Sequence, residues 1–509
     1  MINKLKFLNI LAVCFLIGSC TDLSYQEVDS TLIGDGSTAS GVDATELITT
    51  LYAQLGKIQD SQNDTWGLGE MASDEMIGPT RGTDWSDNGQ LRSLHTHTWN
   101  DQHPFLLNSW NNLNQAVFQA NVALSDPKVT EPQKGEIKFL RAFYMYNVVD
   151  LWGVAPFRDA NEGVKVDPKV LTRVEALTFI TADLEAAIAA LPECTEIGRA
   201  SKTSARALLA KVVINKAVWS ASNPAGPYTF APADMDQVIS LADQVAASCG
   251  LTISNKYWDN FIPENAATSK ELIFTIPNKR GAGVSGSVRS RYFCTLHYSQ
   301  NPSGWNGFAT LGSFYDKFQP QDQRIGDAVP GVTDVSGLRA GFLIGQQKNG
   351  AGVDLKDRGG KPLAFTKNVL LAGNTEVEGI RVIKYPPDYS NLDNPENDYV
   401  ILRLADIQLL KAEALLRKGN PGGALTIVND LRAKRGAAAL GSLDDKALLD
   451  ERGRELYWEG WRRNDQIRFG TFTGSWEFKN ASSDGHEVLY PIPSLALASN
   501  PNLKQNAGY

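Results

Sequence analysis

Helical periodicity dominates the chain from about residue 42 onward. Ile48, Leu51, Leu55 and Ile58 recur three, four and three positions apart, which places them on one face of a helix. The segment 135–149 is aromatic-rich, with Phe139, Phe143 and Tyr146 on one helical stripe. Gly153 and Pro156 should end that helix, since neither continues one stably. Stretches 173–190 and 201–219 predict two more helices, with Pro192 and Gly198 punctuating the turn between them. Over 399–436 the pattern predicts a helix–turn–helix pair. Leu402, Ala405, Leu409, Ala412 and Leu416 form the first stripe, and Ala424, Ile427, Val428 and Leu431 the second. Gly419 stops the first helix, and Asn420-Pro421 supplies a cap residue and a first-turn proline. Small residues on facing helices let the backbones approach, as in tetratricopeptide hairpins. Ser442 with Asp445 predicts a capping box that opens a helix running to about Gly460.

The middle, 222–398, breaks this pattern. Gly, Pro, Asn, Ser and aromatic residues are frequent there, and one clear strand covers 271–276. Long irregular segments in a compact protein usually carry function, so part of a binding surface is expected here. The predicted class is mainly α, with helical hairpins, long irregular loops and a few short strands.

The first twenty residues differ again. Lys4 and Lys6 precede an apolar run from Leu8 to Ile17, followed by Gly18-Ser19-Cys20. The run is too short to stay in a bilayer, so it predicts an export signal over 1–19. Small residues directly before Cys20 resemble a bacterial lipobox, which predicts a lipid on Cys20. Residues 20–41 read as a polar tether from that anchor. The body then divides into an N-terminal helical region (42–221), a loop-rich region (222–398) and a C-terminal helical region (399–509).

Charge narrows the partners. The formal net charge of -8, with no basic stripe, argues against nucleic acid. Arg432, Lys434 and Arg435 are the densest basic cluster and read as cations at a helix C-terminus. Cys194, Cys249 and Cys294 are far apart and odd in number, which predicts neither a zinc site nor a disulfide framework.

Most chemical motifs fail on context. The GxGxxG match at 281–286 follows a strand but lacks a helical stripe after it, so it reads as a flexible loop rather than a nucleotide site. His95, His97 and His103 lack a convincing fourth ligand and read as surface or satisfied core histidines. Glu451, Glu455 and Glu459 could suggest glycosidase carboxylates. Nearby Arg452, Arg454, Arg462 and Arg463 favour an ion-pair face of one helix instead. No cofactor or metal is expected.

Aromatic residues in polar company are the remaining candidates. Trp66, Trp85, Trp99 and Trp110 fall in a stretch rich in Asp, Asn and Gly, and Tyr292, Tyr298, Trp305 and Phe308 fall in the loop-rich middle. A sugar ring has an apolar C–H face and a hydroxyl edge, which suits aromatic plates flanked by polar groups. Trp85 and Trp305, in turn-rich contexts, are the strongest single candidates. Arg81, Asp84 and Asn306 would supply the hydrogen bonds.

Several longer motifs converge. Asp74-Glu75-Met76-Ile77-Gly78-Pro79-Thr80-Arg81 leads to Trp85, and Leu94-His95-Thr96-His97-Thr98-Trp99 follows. Further on come Glu136 to Tyr144, Leu151-Trp152-Gly153-Val154-Ala155-Pro156, and Ala205 to Val212. Glu451-Arg452-Gly453-Arg454-Glu455-Leu456 continues through Glu459-Gly460-Trp461-Arg462-Arg463-Asn464-Asp465, and the tail holds Pro491-Ile492-Pro493 and Asn500 to Asn506. With the lipobox, these resemble the SusD/RagB family of Bacteroidetes nutrient-uptake lipoproteins over almost the whole chain. The resemblance implies the SusD-like helical fold, an outer-membrane lipoprotein facing the cell exterior, and no catalysis. It implies a lid on a SusC-type TonB-dependent transporter, with an oligosaccharide as ligand. Some members serve peptides, so a peptide-binding member is the alternative, with a surface glycoside hydrolase a distant third. Glu136, Arg141, Glu455, Glu459 and Asp465 then read as scaffold. The stretch Arg81 to Trp85 resembles a subset of the family and leads the candidate site.

Overall fold

The computed structural model describes residues 44–509 apart from 60, 61, 64, 163, 164, 279–287 and 483. The proposed signal, Cys20, the tether and the glycine match at 281–286 lie outside the described residues.

Nine helices of twelve residues or more build the described body: α1 (Ala44–Gln59), α2 (Pro104–Ser125), α3 (Glu131–Trp152), α4 (Arg173–Ala190), α5 (Lys202–Trp219), α6 (Pro232–Ala246), α7 (Leu404–Arg417), α8 (Pro421–Lys434) and α9 (Asp445–Leu456). From α2 to α6 each helix packs on the next, and α7 continues the row by packing on both α6 and α8. Short connections force such neighbours to run antiparallel. The hairpin array expected from the stripes is therefore present; it extends through α6 into the middle region and resumes at α7. Ile48, Leu51, Leu55 and Ile58 all face the core.

Local chemistry sets the helix ends. Thr172 and Ser201 cap α4 and α5 as capping boxes. Gly153, at φ 71°, closes α3 with an N–H to the Val149 carbonyl. Asn420 Oδ1 accepts from the Gly423 N–H at 2.9 Å, and Pro421 opens α8.

Other boundaries differ from the expectation. Residues 399–403 are strand, not helix. Strand β2 (Tyr399–Arg403) pairs antiparallel with β1 (Leu272–Ile276), and Leu402 belongs to that ladder rather than to the helical stripe. The cap of α9 is Asp444, which accepts from the Ala447 N–H, and not Ser442. Helix α9 stops at Leu456, because Trp458 and Gly460 take left-handed backbone angles of 60° and 84°. The middle also holds helix α6, which the sequence reading did not single out, along with short helical turns and small sheets, including a three-stranded one at 326–327, 340–343 and 381–383.

Cys194 and Cys249 form a disulfide, contrary to the sequence expectation. It ties the α4–α5 turn to the end of α6. Spacing of the thiols along the chain could not reveal that helix packing brings these two turns together. Cys294 is free and buried.

The charged helix face is not a surface feature. Glu451 and Glu455 of α9, with Glu459 beyond it, are buried and meet arginines from other elements. Glu451 binds Arg324 at 2.8 Å, Arg432 at 2.5 Å and Arg454 at 2.6 Å. Glu455 binds Arg324 at 3.0 Å and both Arg403 and Arg435 at 2.7 Å. Glu271 and Glu459 also bind Arg403, and Lys384 completes Glu459. Of the described arginines that bind these glutamates, Arg454 alone lies on the same helix. Arg432 and Arg435 therefore sit in this buried network rather than serving the helix dipole, while exposed Lys434 bonds Asn255. Arg141 and Asp183 form a similar buried pair at 2.7 Å between α3 and α4.

The histidines are core groups held by carbonyls. His95 bonds the Met76 and Glu477 carbonyls, His97 that of Ala72, and His103 that of Gln90. Trp66, Trp99 and Trp110 are likewise buried packing residues.

Candidate functional site

Two segments far apart in sequence build the aromatic site. Ile77 and Ala309 exchange backbone hydrogen bonds of 2.9 and 3.0 Å, which lays the 77–85 segment along 305–309. Arg81 and Asp84 exchange another pair, closing a tight turn that presents Trp85. Trp85 has φ 59° and Asn306 φ 53°. Left-handed angles are unusual for a bulky residue, and such outliers persist only where neighbours fix them.

The ring of Trp85 is well fixed. Its Nε1–H donates to the Trp305 carbonyl at 2.8 Å. Its ring centroid lies 4.9 Å from Phe308 and 6.4 Å from Trp305. It lies flat against Gly307, where an added Cβ would come within 2.5 Å of Trp85 Cζ2 and 2.6 Å of the Cys294 carbonyl oxygen. Trp305 is 53% exposed and is backed by Phe293 at 6.3 Å. The exposed aromatic surface is therefore chiefly Trp305, with part of Trp85 beside it.

A polar rim adjoins the rings. The Tyr298 hydroxyl donates to Asp84 Oδ2 at 2.7 Å. Burial raises the Tyr298 hydroxyl to about 12, and the neighbouring Asp84 adds to the shift. The Arg358 guanidinium lies 4.0 Å over the Tyr298 ring. Arg358 also pairs with Glu376 and sits 3.7 Å from Asp84 Oδ2. Burial alone would raise Glu376, but hydrogen bonds from Arg358 and His297 hold its carboxyl below the usual range.

The eight sequence candidates thus converge, in two layers. Asp84, Trp85, Tyr298 and Trp305 reach the surface, whereas Arg81, Tyr292, Asn306 and Phe308 are buried behind them. Arg81 donates to the Gly307 and Thr375 carbonyls. Asn306 accepts from Arg381 at 2.7 Å and donates to the Glu376 carbonyl at 3.1 Å. Tyr292 donates to the Leu392 carbonyl. These buried groups hold the loops in register.

Sequence reasoning missed Arg358, Glu376 and Phe293. Arg358 occupies a turn in which the Gly360 N–H bonds the Asp357 carbonyl. The Asp-Arg-Gly-Gly string marks that turn, but nothing local says that it folds back onto residue 84.

A helical-hairpin scaffold carrying a loop-built aromatic and polar site defines a class of protein, and the comparisons identify it. Residues 372–509 match the SusD family model, and residues 26–214 match a model described as starch-binding associating with outer membrane. The chain is 26% identical to the starch-binding protein SusD of Bacteroides thetaiotaomicron, covering 87% of this chain and 85% of that protein. It is also 26% identical to SusD-like protein P25 of Formosa agariphila, over 99% and 100% of the two chains. Among solved structures, a SusD superfamily protein from Parabacteroides distasonis aligns with a TM-score of 0.71 at 18% identity, covering 92% of this chain and 98% of that one. Surface glycan-binding protein A from Bacteroides thetaiotaomicron, in complex with laminarihexaose, aligns with a TM-score of 0.66 at 18% identity, over 91% and 98%. The chain belongs to the SusD/RagB family.

Proposed function

We propose that this protein captures an oligosaccharide at the Trp85–Trp305 site and passes it to a SusC-type TonB-dependent transporter in the outer membrane. A lipid on Cys20 would anchor it there, facing outward. The observation that carries the reading is the exposed Trp305 ring beside Trp85, edged by Asp84, Tyr298 and Arg358. Such a plate stacks on the apolar face of a sugar while the rim exchanges hydrogen bonds with its hydroxyls. The names of the relatives support the same class of ligand: one binds starch, and one is bound to laminarihexaose.

The mechanism needs no bond to break. Glu451, Glu455 and Glu459 would be poor glycosidase acids, since each is buried and engaged by cations. Against burial, the guanidiniums around Glu451 hold its carboxyl down to about 2, so it cannot donate a proton at neutral pH. Among the described residues no helix is long and apolar enough to cross a membrane.

Isothermal calorimetry of the full chain in detergent, against plant, host and microbial oligosaccharides, tests the reading. Binding of one glycan class, lost in Trp85→Ala or Trp305→Ala with folding intact, is the expected result. Silence across the panel, with binding of peptides instead, would overturn it in favour of a peptide-binding member.

A further inference from the structure

We propose that Asp84, Arg358 and Glu376 restrict this site to neutral glycans and turn away chains bearing carboxylates or sulfates. The inference rests on glycan capture at the Trp85–Trp305 plate and adds the ligand's charge class.

The rim exposes one cation between two carboxylates. The Arg358 side chain is 56% exposed and that of Asp84 43%, with Glu376 partly buried beneath them. Arg358 binds Glu376 through Nε and its own backbone N–H, and its Nη2 faces Asp84. Its guanidinium is also seated on the Tyr298 ring. The cation is therefore shared before any ligand arrives.

An anionic sugar would have to draw Arg358 away from Glu376 or Asp84. That would leave a carboxylate without its partner beside the incoming negative charge, an arrangement that disfavours the wrong ligand. A neutral sugar meets no such conflict. One hydroxyl can donate to Asp84 while its neighbour accepts from Arg358, with the existing pairs intact.

Arg81 and Arg381 lie behind the site and do not serve it. Arg81 donates to the Gly307 and Thr375 carbonyls, and Arg381 to Asn306 and to the Glu376, Glu378 and Gly379 carbonyls. Both are buried, so their N–H groups are used inside the loops. Glu378, beside Arg81, offsets them further. Among the described residues, Arg358 is the cation paired with the rim carboxylates, so a ligand that engages it meets them as well.

The test uses matched polysaccharides: a neutral glycan that the full chain binds, and the same glycan oxidised at C6 so that its primary hydroxyls become carboxylates. Affinity for each is measured by calorimetry on the detergent-solubilised chain. The oxidised partner should bind at least roughly tenfold more weakly. The double variant Asp84→Asn, Glu376→Gln, which keeps the shape of both side chains, should narrow that gap to about threefold or less, with a cooperative melting transition retained to show that the fold is intact. Equal or tighter binding of the oxidised chain would overturn the inference while leaving glycan capture standing. A gap that the double variant leaves unchanged would overturn it as well. Failure of every neutral and oxidised glycan to bind would overturn glycan capture itself, and this inference with it.

Discussion

The indole N–H of Trp85 donates to the backbone carbonyl of Trp305 at 2.8 Å, and the two rings stand 6.4 Å apart at 45°. The bond joins positions 220 residues apart in sequence, so each tryptophan depends on the other's segment for its place. Their roles nevertheless differ. Trp305 is largely exposed, so Trp305→Ala should change stability by no more than about 0.5 kcal/mol while weakening glycan binding at least roughly tenfold. Thermal melting and calorimetry on the same sample check this. A large drop in melting temperature would show that Trp305 is a packing residue instead.

Gly307 permits that geometry. Gly307→Ala would drive a methyl into both the Trp85 ring and the Cys294 carbonyl. A stability loss of about 1–3 kcal/mol is expected, with a shift in tryptophan fluorescence as Trp85 is displaced. An unchanged spectrum with unchanged binding would mean that the ring does not need its present seat.

The buried network around Glu455 sets the acid limit of the fold. Against the cost of burial, Arg435, Arg403 and Arg324 hold this carboxyl well below its ordinary value. Glu451 and Glu413 are each lowered to about 2 in the same way. Lowered carboxylates contribute stability above their unfolded pKa of about 4.5 and lose it as pH falls toward about 2. Acid unfolding should therefore develop across that window. Glu455→Ala, which strands three buried guanidiniums, should cost about 3–5 kcal/mol at neutral pH in denaturant titrations.

Glu70 works in the opposite direction. Burial raises it to about 7, although the Gly460 N–H donates to it. Burial and the nearby Glu70 also raise Glu75, while Arg462, Asp74, Lys384 and Arg291 are the other charges that act on the pair. A raised pKa contributes stability that is complete below about 4.5 and is lost as pH rises through about 7. Glu70→Gln keeps an acceptor for Gly460 and cannot ionise. Its melting temperature should exceed that of the unchanged chain near pH 8 and match it near pH 4.5, with a gain of up to about 3 kcal/mol. Parallel melting curves across that range would exclude the effect.

The Cys194–Cys249 disulfide spans 55 residues of sequence. Loop-closure entropy sets an upper bound of roughly 4 kcal/mol on its contribution. Replacing both cysteines by alanine should lower the melting temperature and leave glycan affinity unchanged, because neither turn contributes to the site.

The long helices were legible because a 3–4 repeat of apolar residues has one efficient solution, a buried stripe. Trp85 and Trp305 stand out in the sequence by their turn-rich contexts and the fold brings them together, whereas Trp66, Trp99 and Trp110 carry a similar signature and are packing residues. Three things were not legible. Leu402 continues the helical spacing, but pairing with β1 overrides it. The arginines at 432 and 435 carry the same local signature whether they face water or a buried glutamate, and only packing distinguishes the two. Arg358 reaches residue 84 across a loop whose path no local pattern encodes.

The ion network carries a further consequence for how the chain comes into being. Glu455 draws Arg324, Arg403 and Arg435 to one point, and Glu271 joins through the same guanidiniums. Synthesis delivers the positive members of this cluster before Glu451, Glu455 and Glu459 exist. Until those last carboxylates arrive, Asp322 and Glu271 are the partners within this cluster that Arg324, Arg403 and Arg435 can find. A chain cut short before residue 451 would therefore hold more cations than carboxylates at this point, and burying them would leave guanidiniums without a partner.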